Sequence, residues 1–104
     1  MSKAERNREW YERNRSAHIA RAERTRKAKH ELVRQAKDKP CSDCGVRYPY
    51  YVMDLDHARG EKRFGLGTRN ALNRSVQAIK DEIDKCDVVC ANCHRQRTQQ
   101  RITL

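Results

Sequence analysis

Two Cys-x-x-Cys pairs constrain the folding of this chain more than any other feature. The first is Cys41-Ser42-Asp43-Cys44 and the second is Cys90-Ala91-Asn92-Cys93, with residues 45–89 between them. Each pair fits a tight turn, and two such turns complete the tetrahedral shell of four thiolates that zinc takes in structural sites. An iron–sulfur or redox centre uses the same ligands, and the spacing alone does not separate these chemistries. We expect one structural zinc ion, bound by Cys41, Cys44, Cys90 and Cys93.

The size and composition of the chain favour a metal site over a disulfide framework. The chain has 104 residues, of which 37% are charged and 37% are hydrophobic, so its core must be small. A compact part of about 65 residues would gain folding free energy from a bound metal. No apolar run approaches the ~20 residues of a membrane span, and Met1–Arg6 contains no apolar signal core. We therefore expect a cytoplasmic protein with no membrane partner, in which the fifth cysteine, Cys86, is a small core residue.

The net charge favours a polyanionic partner. The chain has 24 Lys and Arg residues against 14 Asp and Glu residues, which gives a net charge of +10. Residues 1–39 hold most of this excess, with 13 basic and 6 acidic side chains. A basic balance of this size favours nucleic acid as the partner. The alternative is a basic face that is simply solvated.

Residues 3–37 are predicted to form one long helix, because they contain no glycine or proline and are rich in good helix formers. The helix would be roughly 50 Å long, and its thin apolar face requires a partner or many ion pairs. We predict a basic arm that contacts phosphates; a partly frayed, solvated helix is the alternative. Trp10 and Tyr11 are candidate anchors on the domain or on another chain, so a homodimer formed through this helix is a further expectation. The candidate phosphate-binding residues of the arm are Arg6, Arg13, Arg21 and Arg24.

Pro40 marks the predicted boundary between the arm and a compact domain, because the residue before a proline avoids the helical region. Residues 1–39 are the predicted arm and residues 40–104 the predicted domain. Periodicity, β-forming residues and turn signals predict a mixed α+β fold for the domain. The predicted elements are a strand over Val46–Leu55, a glycine-punctuated loop over 57–67, a helix over 76–85 capped by Ser75, a short buried strand over Asp87–Cys90, and a last helix from Ala91 to about Arg101.

An aspartate next to a histidine follows the first predicted strand. Asp56 and His57 can divide the work of hydrolysis, because a carboxylate binds a hard cation and an imidazole takes a proton from water. His94 directly follows Cys93, so the cysteine turn fixes its backbone and makes it a candidate second cation ligand. Asp54 shares a strand face with Asp56, and it is either a further ligand or a solvated acid.

Asp56-His57 followed by Cys90-x-x-Cys93-His94 resembles the HNH endonuclease family in its zinc-ribbon, ββα-metal form. It is most similar to small phage and bacterial HNH nicking endonucleases, in which a basic helix also precedes the first cysteine pair. The resemblance covers residues 41–98. It implies a ββα-metal core on a four-cysteine zinc ribbon, preceded by a long basic N-terminal helix, in the cytoplasm of a bacterial or phage-infected cell.

The resemblance implies a role for each matching residue. His57 matches the general base, Asp56 the adjacent metal-binding aspartate, and His94 the second metal ligand. Lys85 stands where the family has its middle asparagine, and Asn92 lies nearby but within the second cysteine pair. A backbone group or another side chain must therefore orient the general base in this chain.

The implied activity is metal-dependent hydrolysis of phosphodiester bonds in double-stranded DNA, with nicking of one strand. Mg²⁺ or Mn²⁺ would bridge the scissile phosphate and the leaving 3′ oxygen, and the products would carry 5′-phosphate and 3′-hydroxyl ends. Lys62, Arg95 and Arg97 are candidate contacts to flanking phosphates. The alternative is a non-catalytic zinc-ribbon module that binds DNA or RNA. That alternative explains the charge and the cysteines but not Asp56-His57 together with His94.

Overall fold

The computed structural model describes residues 2–67 and 69–103 and combines helices with a two-stranded antiparallel sheet. The predicted α+β class is confirmed at this level. Within the described ranges, no helix is long and apolar enough to cross a membrane. The elements in chain order are α1 (Lys3–Ala36), a 3₁₀ turn (Tyr50–Val52), β1 (Met53–His57), α2 (Arg69–Leu72), α3 (Val76–Ile83), β2 (Cys86–Cys90) and α4 (Ala91–Thr103).

Helix α1 is continuous, as the sequence predicts, and it ends at Ala36, one residue before the predicted end at Lys37. The Ser2 side chain caps its first turn by accepting a hydrogen bond from the Glu5 N–H at 3.1 Å. None of its residues is buried, and Trp10 stays 61% exposed. Near its C-terminal end, Leu32 and Val33 pack against the domain core. Only this end of the arm therefore contributes to the core, and the basic N-terminal turns are left accessible.

The first strand is shorter and later than predicted. It begins at Met53 rather than Val46, because Pro49 introduces a 3₁₀ turn in which the Val52 N–H donates to the Pro49 carbonyl at 2.9 Å. Strand β1 pairs antiparallel with β2, from Met53 opposite Cys90 to His57 opposite Cys86. The partner strand has five residues, so aromatic residues outside this register have no strand to pair with, whatever their β propensity.

Two clusters of buried residues form the core, and Leu55 of β1 packs against both. One cluster surrounds the cysteine pairs and includes Met53 and Val89. The other lies under α1 and α3 and includes Ile79, which is fully buried, and Cys86, as the sequence predicts for the fifth cysteine. Helix α3 begins after the predicted cap, in which the Ser75 side chain accepts from the Ala78 N–H. The sheet is thus held between the cysteine cluster and the helices.

Candidate functional site

The four predicted cysteine ligands lie in one cluster. Their Sγ atoms are all within 4.8 Å of one another, and Cys44 Sγ lies 4.0 Å from Cys90 Sγ. A tetrahedron with Zn–S bonds of 2.3 Å has S···S edges of ~3.8 Å, so the donor set fits a structural metal such as zinc. Among residues 2–67 and 69–103, these four side chains are the only group of three or more candidate ligands that meets so closely.

Backbone hydrogen bonds to Cys41 Sγ stabilise its thiolate form, which is the form that binds a metal. The N–H groups of Cys44 and Cys90 point at Cys41 Sγ at 3.5 and 3.3 Å. Burial by itself raises the pKa of Cys41, but these donors outweigh it and lower the pKa to about 6. Gly45 ends the first turn with φ +75°, a conformation that favours glycine. The Ser42 N–H donates to the Val88 carbonyl at 2.8 Å and joins this turn to β2.

A histidine lies between two carboxylates on the face of β1 that meets α4. His94 Nδ1 is 2.9 Å from Asp54 Oδ2, and His94 Nε2 is 3.5 Å from Asp56 Oδ1. Asp54 and Asp56 share this face because strand side chains alternate. When His94 is neutral, Nδ1–H donates to Asp54 and the Nε2 lone pair faces Asp56. The structure therefore brings Asp56 and His94 together with Asp54. The sequence analysis instead groups Asp56 and His94 with His57, and leaves Asp54 as either a ligand or a solvated acid.

Two arginines of α4 hold Asp56, which is only 4% exposed. Arg101 donates to both carboxylate oxygens at 3.0 and 2.8 Å, and Arg97 donates to Oδ2 at 2.9 Å. The bonds from Arg101 lower the pKa of Asp56 most; burial opposes them, Arg97 adds to them, and the result is about 2. Asp56 is thus ionised at any physiological pH.

Arg97 differs from its predicted role as a contact to flanking phosphates. Besides Asp56, its guanidinium binds both oxygens of Asp43 at 2.7 and 2.6 Å and Asp87 at 3.1 Å. Its side chain is 19% exposed. Three carboxylates therefore use its donors, and one of them, Asp43, lies inside the first cysteine pair. Arg97 links that turn to Asp56 rather than extending towards a ligand.

His57 lies on the opposite face of β1 from Asp56 and is joined to a residue that the sequence analysis missed. Its Nε2 is 2.9 Å from Oε2 of Glu82, whose side chain is 1% exposed. Glu82 also accepts from Lys85 Nζ at 2.9 Å and from the Arg63 N–H at 3.0 Å. The signal in the sequence was a carboxylate three residues after Ile79, on the apolar side of α3. His57 is not part of the group formed by Asp56 and His94.

The negative charge of Glu82 determines which ring nitrogen of neutral His57 carries the proton. Burial raises the pKa of Glu82, but the hydrogen bonds from Lys85, the Arg63 N–H and His57 prevail and lower it to about 2. An ionised carboxylate only accepts hydrogen bonds, so Nε2 of His57 carries the proton. In neutral His57 the lone pair is therefore on Nδ1. This assigns the nitrogen that can act as a base.

The remaining predicted site residues are distributed over the surface. Lys62 borders a cleft that His57 also lines. Arg95 is exposed on α4, and Asn92 is exposed in the turn between Cys90 and Cys93. The arginines of the arm are exposed along α1: Arg6, Arg13, Arg21 and Arg24.

Comparisons with known proteins leave this site to be interpreted from its own geometry. No family model, no curated protein and no solved structure matches the chain. Three features remain for the assignment of function. They are the four-cysteine cluster, the group formed by Asp54, Asp56 and His94, and the buried pair of His57 with Glu82.

Proposed function

We propose that this protein is a metal-dependent endonuclease of the HNH type, which nicks double-stranded DNA by hydrolysing a phosphodiester bond. The pair of His57 with buried Glu82 carries this proposal. A histidine whose Nε2 is held by an ionised carboxylate, so that Nδ1 is the nitrogen left to accept a proton, is the arrangement that general-base catalysis requires. In the proposal, β1, β2 and α4 are the ββα-metal unit, and the cysteine cluster holds zinc.

His57 is the general base in this mechanism. Nδ1 takes a proton from the water that attacks phosphorus in line with the leaving 3′ oxygen. Glu82 keeps Nε2 protonated and stabilises the imidazolium that forms, which is the role of the carboxylate in a catalytic triad. Lys85 holds Glu82 in place at 2.9 Å. Glu82 thus supplies the orientation for which the resemblance expects an asparagine, and Lys85, which stands at that position, supports it.

Asp56 and His94 are the proposed ligands of Mg²⁺ or Mn²⁺. Their facing atoms are 3.5 Å apart, close to the ~3 Å between neighbouring ligands of an octahedral ion with bonds of 2.1 Å. Asp54 would then accept from His94 Nδ1–H and orient the ring, as carboxylates do behind metal-bound histidines. When bound, the cation would neutralise charge on the scissile phosphate and the leaving oxygen. Arg101 would release Oδ1 of Asp56 and keep its bond to Oδ2.

The arm is the proposed source of affinity for DNA. It holds 13 of the 24 basic residues and no candidate catalytic group. Its N-terminal turns are exposed, with Arg6 and Arg13 free of any ion pair in the described part of the chain. Lysine and arginine contacts to phosphates supply affinity that does not depend on sequence. If the arm instead pairs two chains, Trp10 and Tyr11 are the exposed aromatic residues available for that contact.

The decisive experiment is cleavage of supercoiled plasmid by the purified protein with Mg²⁺, with Mn²⁺ and with EDTA. We expect nicked circles with either cation and none with EDTA. His57→Ala should abolish nicking, and the matched variant His18→Ala, at an exposed histidine of α1, should retain it. Wild-type nicking by His57→Ala would overturn the mechanism.

A second candidate is a zinc-ribbon module that binds DNA or RNA without cleaving it. The observation that favours it is the occupation of Asp56 by Arg97 and Arg101, since these guanidinium groups already neutralise the carboxylate. Such a module would bind nucleic acid with or without EDTA and would leave the plasmid intact at every cation concentration. The same plasmid assay, run beside a binding assay, therefore separates the two functions.

A further inference from the structure

A cleft of about 330 Å³ opens between the end of α1 and strand β1. His57 lies on its wall, and Val33, Leu55 and Leu66 supply apolar lining. Two lysines from distant parts of the chain also border it: Lys37, which caps the C-terminus of α1, and Lys62, in the loop after β1. The cleft therefore joins the basic arm to the face of β1 that carries His57.

Lys37 and Lys62 differ from Lys29 and Lys85, whose side chains have hydrogen-bond partners. Lys29 donates to the Leu72 carbonyl, and Lys85 is held by Glu82 and the Glu61 carbonyl. Throughout residues 2–67 and 69–103, neither Lys37 nor Lys62 has a side-chain hydrogen bond or an ion pair. Both ammonium groups are thus free to bind a ligand.

The charges around the cleft favour an anion. The ammonium groups of Lys37 and Lys62 border one cavity and repel each other. A bound anion would remove this repulsion. The acidic group nearest to His57, Glu82, lies behind the histidine, is fully buried and is already neutralised by Lys85. Among the described residues that line the cleft, no acidic side chain balances Lys37 and Lys62. The apolar floor weakens competition from water and strengthens any ion pair formed there.

We propose that this cleft binds a phosphate of the DNA backbone beside His57, with Lys37 and Lys62 as its two cationic contacts. The proposal rests on the proposed function, because a base must lie close to the phosphate it serves. It goes further by making Lys37, the residue that caps the C-terminus of α1, part of the substrate site. The arm and the hydrolytic site then form one continuous phosphate-binding surface rather than two separate ones.

Binding of a fluorescent DNA duplex by the full chain as purified, without added Mg²⁺ or Mn²⁺ and over a series of salt concentrations, tests the two lysines. The plot of log K against log salt has a negative slope, and Lys37→Met and Lys62→Met should each make it less steep by about 0.9. The double variant should make it less steep by about 1.8. Lys37→Arg with Lys62→Arg should restore the slope. Lys80→Met, at an exposed lysine of α3 that lies outside both the cleft and the arm, is the matched control and should leave it unchanged. A wild-type slope in the double Met variant would overturn the proposal.

Inorganic phosphate at constant pH supplies a second readout that needs neither DNA nor cleavage. The imidazole resonances of His57 should shift saturably in the wild-type protein and stay in place in the Lys37→Met/Lys62→Met variant. Those of His18 should not move in either protein. An unmoved His57 in the wild type, or the same shift in both proteins, contradicts the cleft as the phosphate site.

The two proposals fail in different ways. If both lysines pass these tests while the plasmid stays intact, the phosphate site stands and the endonuclease does not. If the plasmid is nicked while the lysine variants keep the wild-type slope, the endonuclease stands and the phosphate lies elsewhere.

Discussion

Nε2 of His57 lies 2.9 Å from Oε2 of Glu82, a carboxylate that is 1% exposed and that belongs to a helix 25 residues further along the chain. The carboxylate binds Lys85 through its other oxygen. This chain of contacts fixes the tautomer of His57 and leaves Nδ1 as its basic nitrogen.

Glu82→Gln should lower kcat for nicking by about 100-fold, because the imidazolium formed in the reaction loses its carboxylate partner. KM should change little, since Glu82 is buried and does not reach the substrate. The pH profile of kcat should also move, which a purely structural role would not cause. Asp81→Asn, on the exposed side of α3, is the control and should behave as wild type.

Glu82→Gln also leaves the Lys85 ammonium without its carboxylate, so thermal unfolding must be followed in parallel. Glu82→Gln/Lys85→Met removes both charges and should recover stability while activity stays low. Recovery of activity together with stability would show that Glu82 acts only through folding.

The four cysteines should bind one zinc ion per chain, and Cys41→Ala should lose both the zinc and the folded domain. The physical reason is that the four thiolates come together only in the folded chain, so the free energy of metal binding adds to the folding free energy of a small core. Metal analysis and circular dichroism measure the two effects. Cys86→Ala, in the other core cluster, should retain one zinc, and a wild type that contains neither zinc nor iron would refute the site.

Asp56→Asn should abolish binding of Mn²⁺, whereas Asp54→Asn should weaken it by about 10- to 100-fold. The difference follows from the geometry, because Asp56 faces the Nε2 lone pair of His94 while Asp54 orients the ring from behind. Arg101→Met should tighten Mn²⁺ binding, because it frees Oδ1 of Asp56. Titration of Mn²⁺ by electron paramagnetic resonance measures all three. Equal losses in the two Asn variants would mean that both aspartates are ligands.

Removing charge from one side of α1 should weaken DNA binding and flatten its salt dependence. By the 3.6-residue repeat, the four predicted arginines lie on one side of the helix and Glu5, Glu12 and Glu23 on another. Replacing Arg6, Arg13, Arg21 and Arg24 with Gln should lower the slope of log K against log salt by up to about 3.6. Substitution is preferable to deleting residues 1–36, because Leu32 and Val33 belong to the core.

The control replaces Glu5, Glu12 and Glu23 with Gln, which alters three exposed positions of the same helix without removing a cation. Its affinity for DNA should stay the same or rise. If the arginine variant binds as tightly as wild type with the same slope, the arm has another purpose. Sedimentation would then show whether it pairs two chains.

The sequence by itself determined the features that depend on neighbouring residues. Helix α1 follows from an uninterrupted run of good helix formers, α3 from the cap at Ser75, and the cysteine cluster from two short spacings. The sequence also predicted that Asp54 and Asp56 share a strand face and that Cys93 fixes the backbone of His94, although it grouped His57, rather than Asp54, with Asp56 and His94. Each of these signals lies within a few residues of chain.

Tertiary structure alone decided the contacts that join Glu82, Arg97 and Arg101 to the predicted site residues. The contacts of Glu82 with His57, and of Arg97 and Arg101 with Asp56, join residues 25, 41 and 45 positions apart. They depend on how α3 and α4 pack on the sheet, which begins at Met53 because of the 3₁₀ turn after Pro49 and the five-residue length of β2. No local pattern encodes such packing. For that reason the partner of the proposed base, and the arginines that hold the aspartate beside it, became visible only in the folded chain.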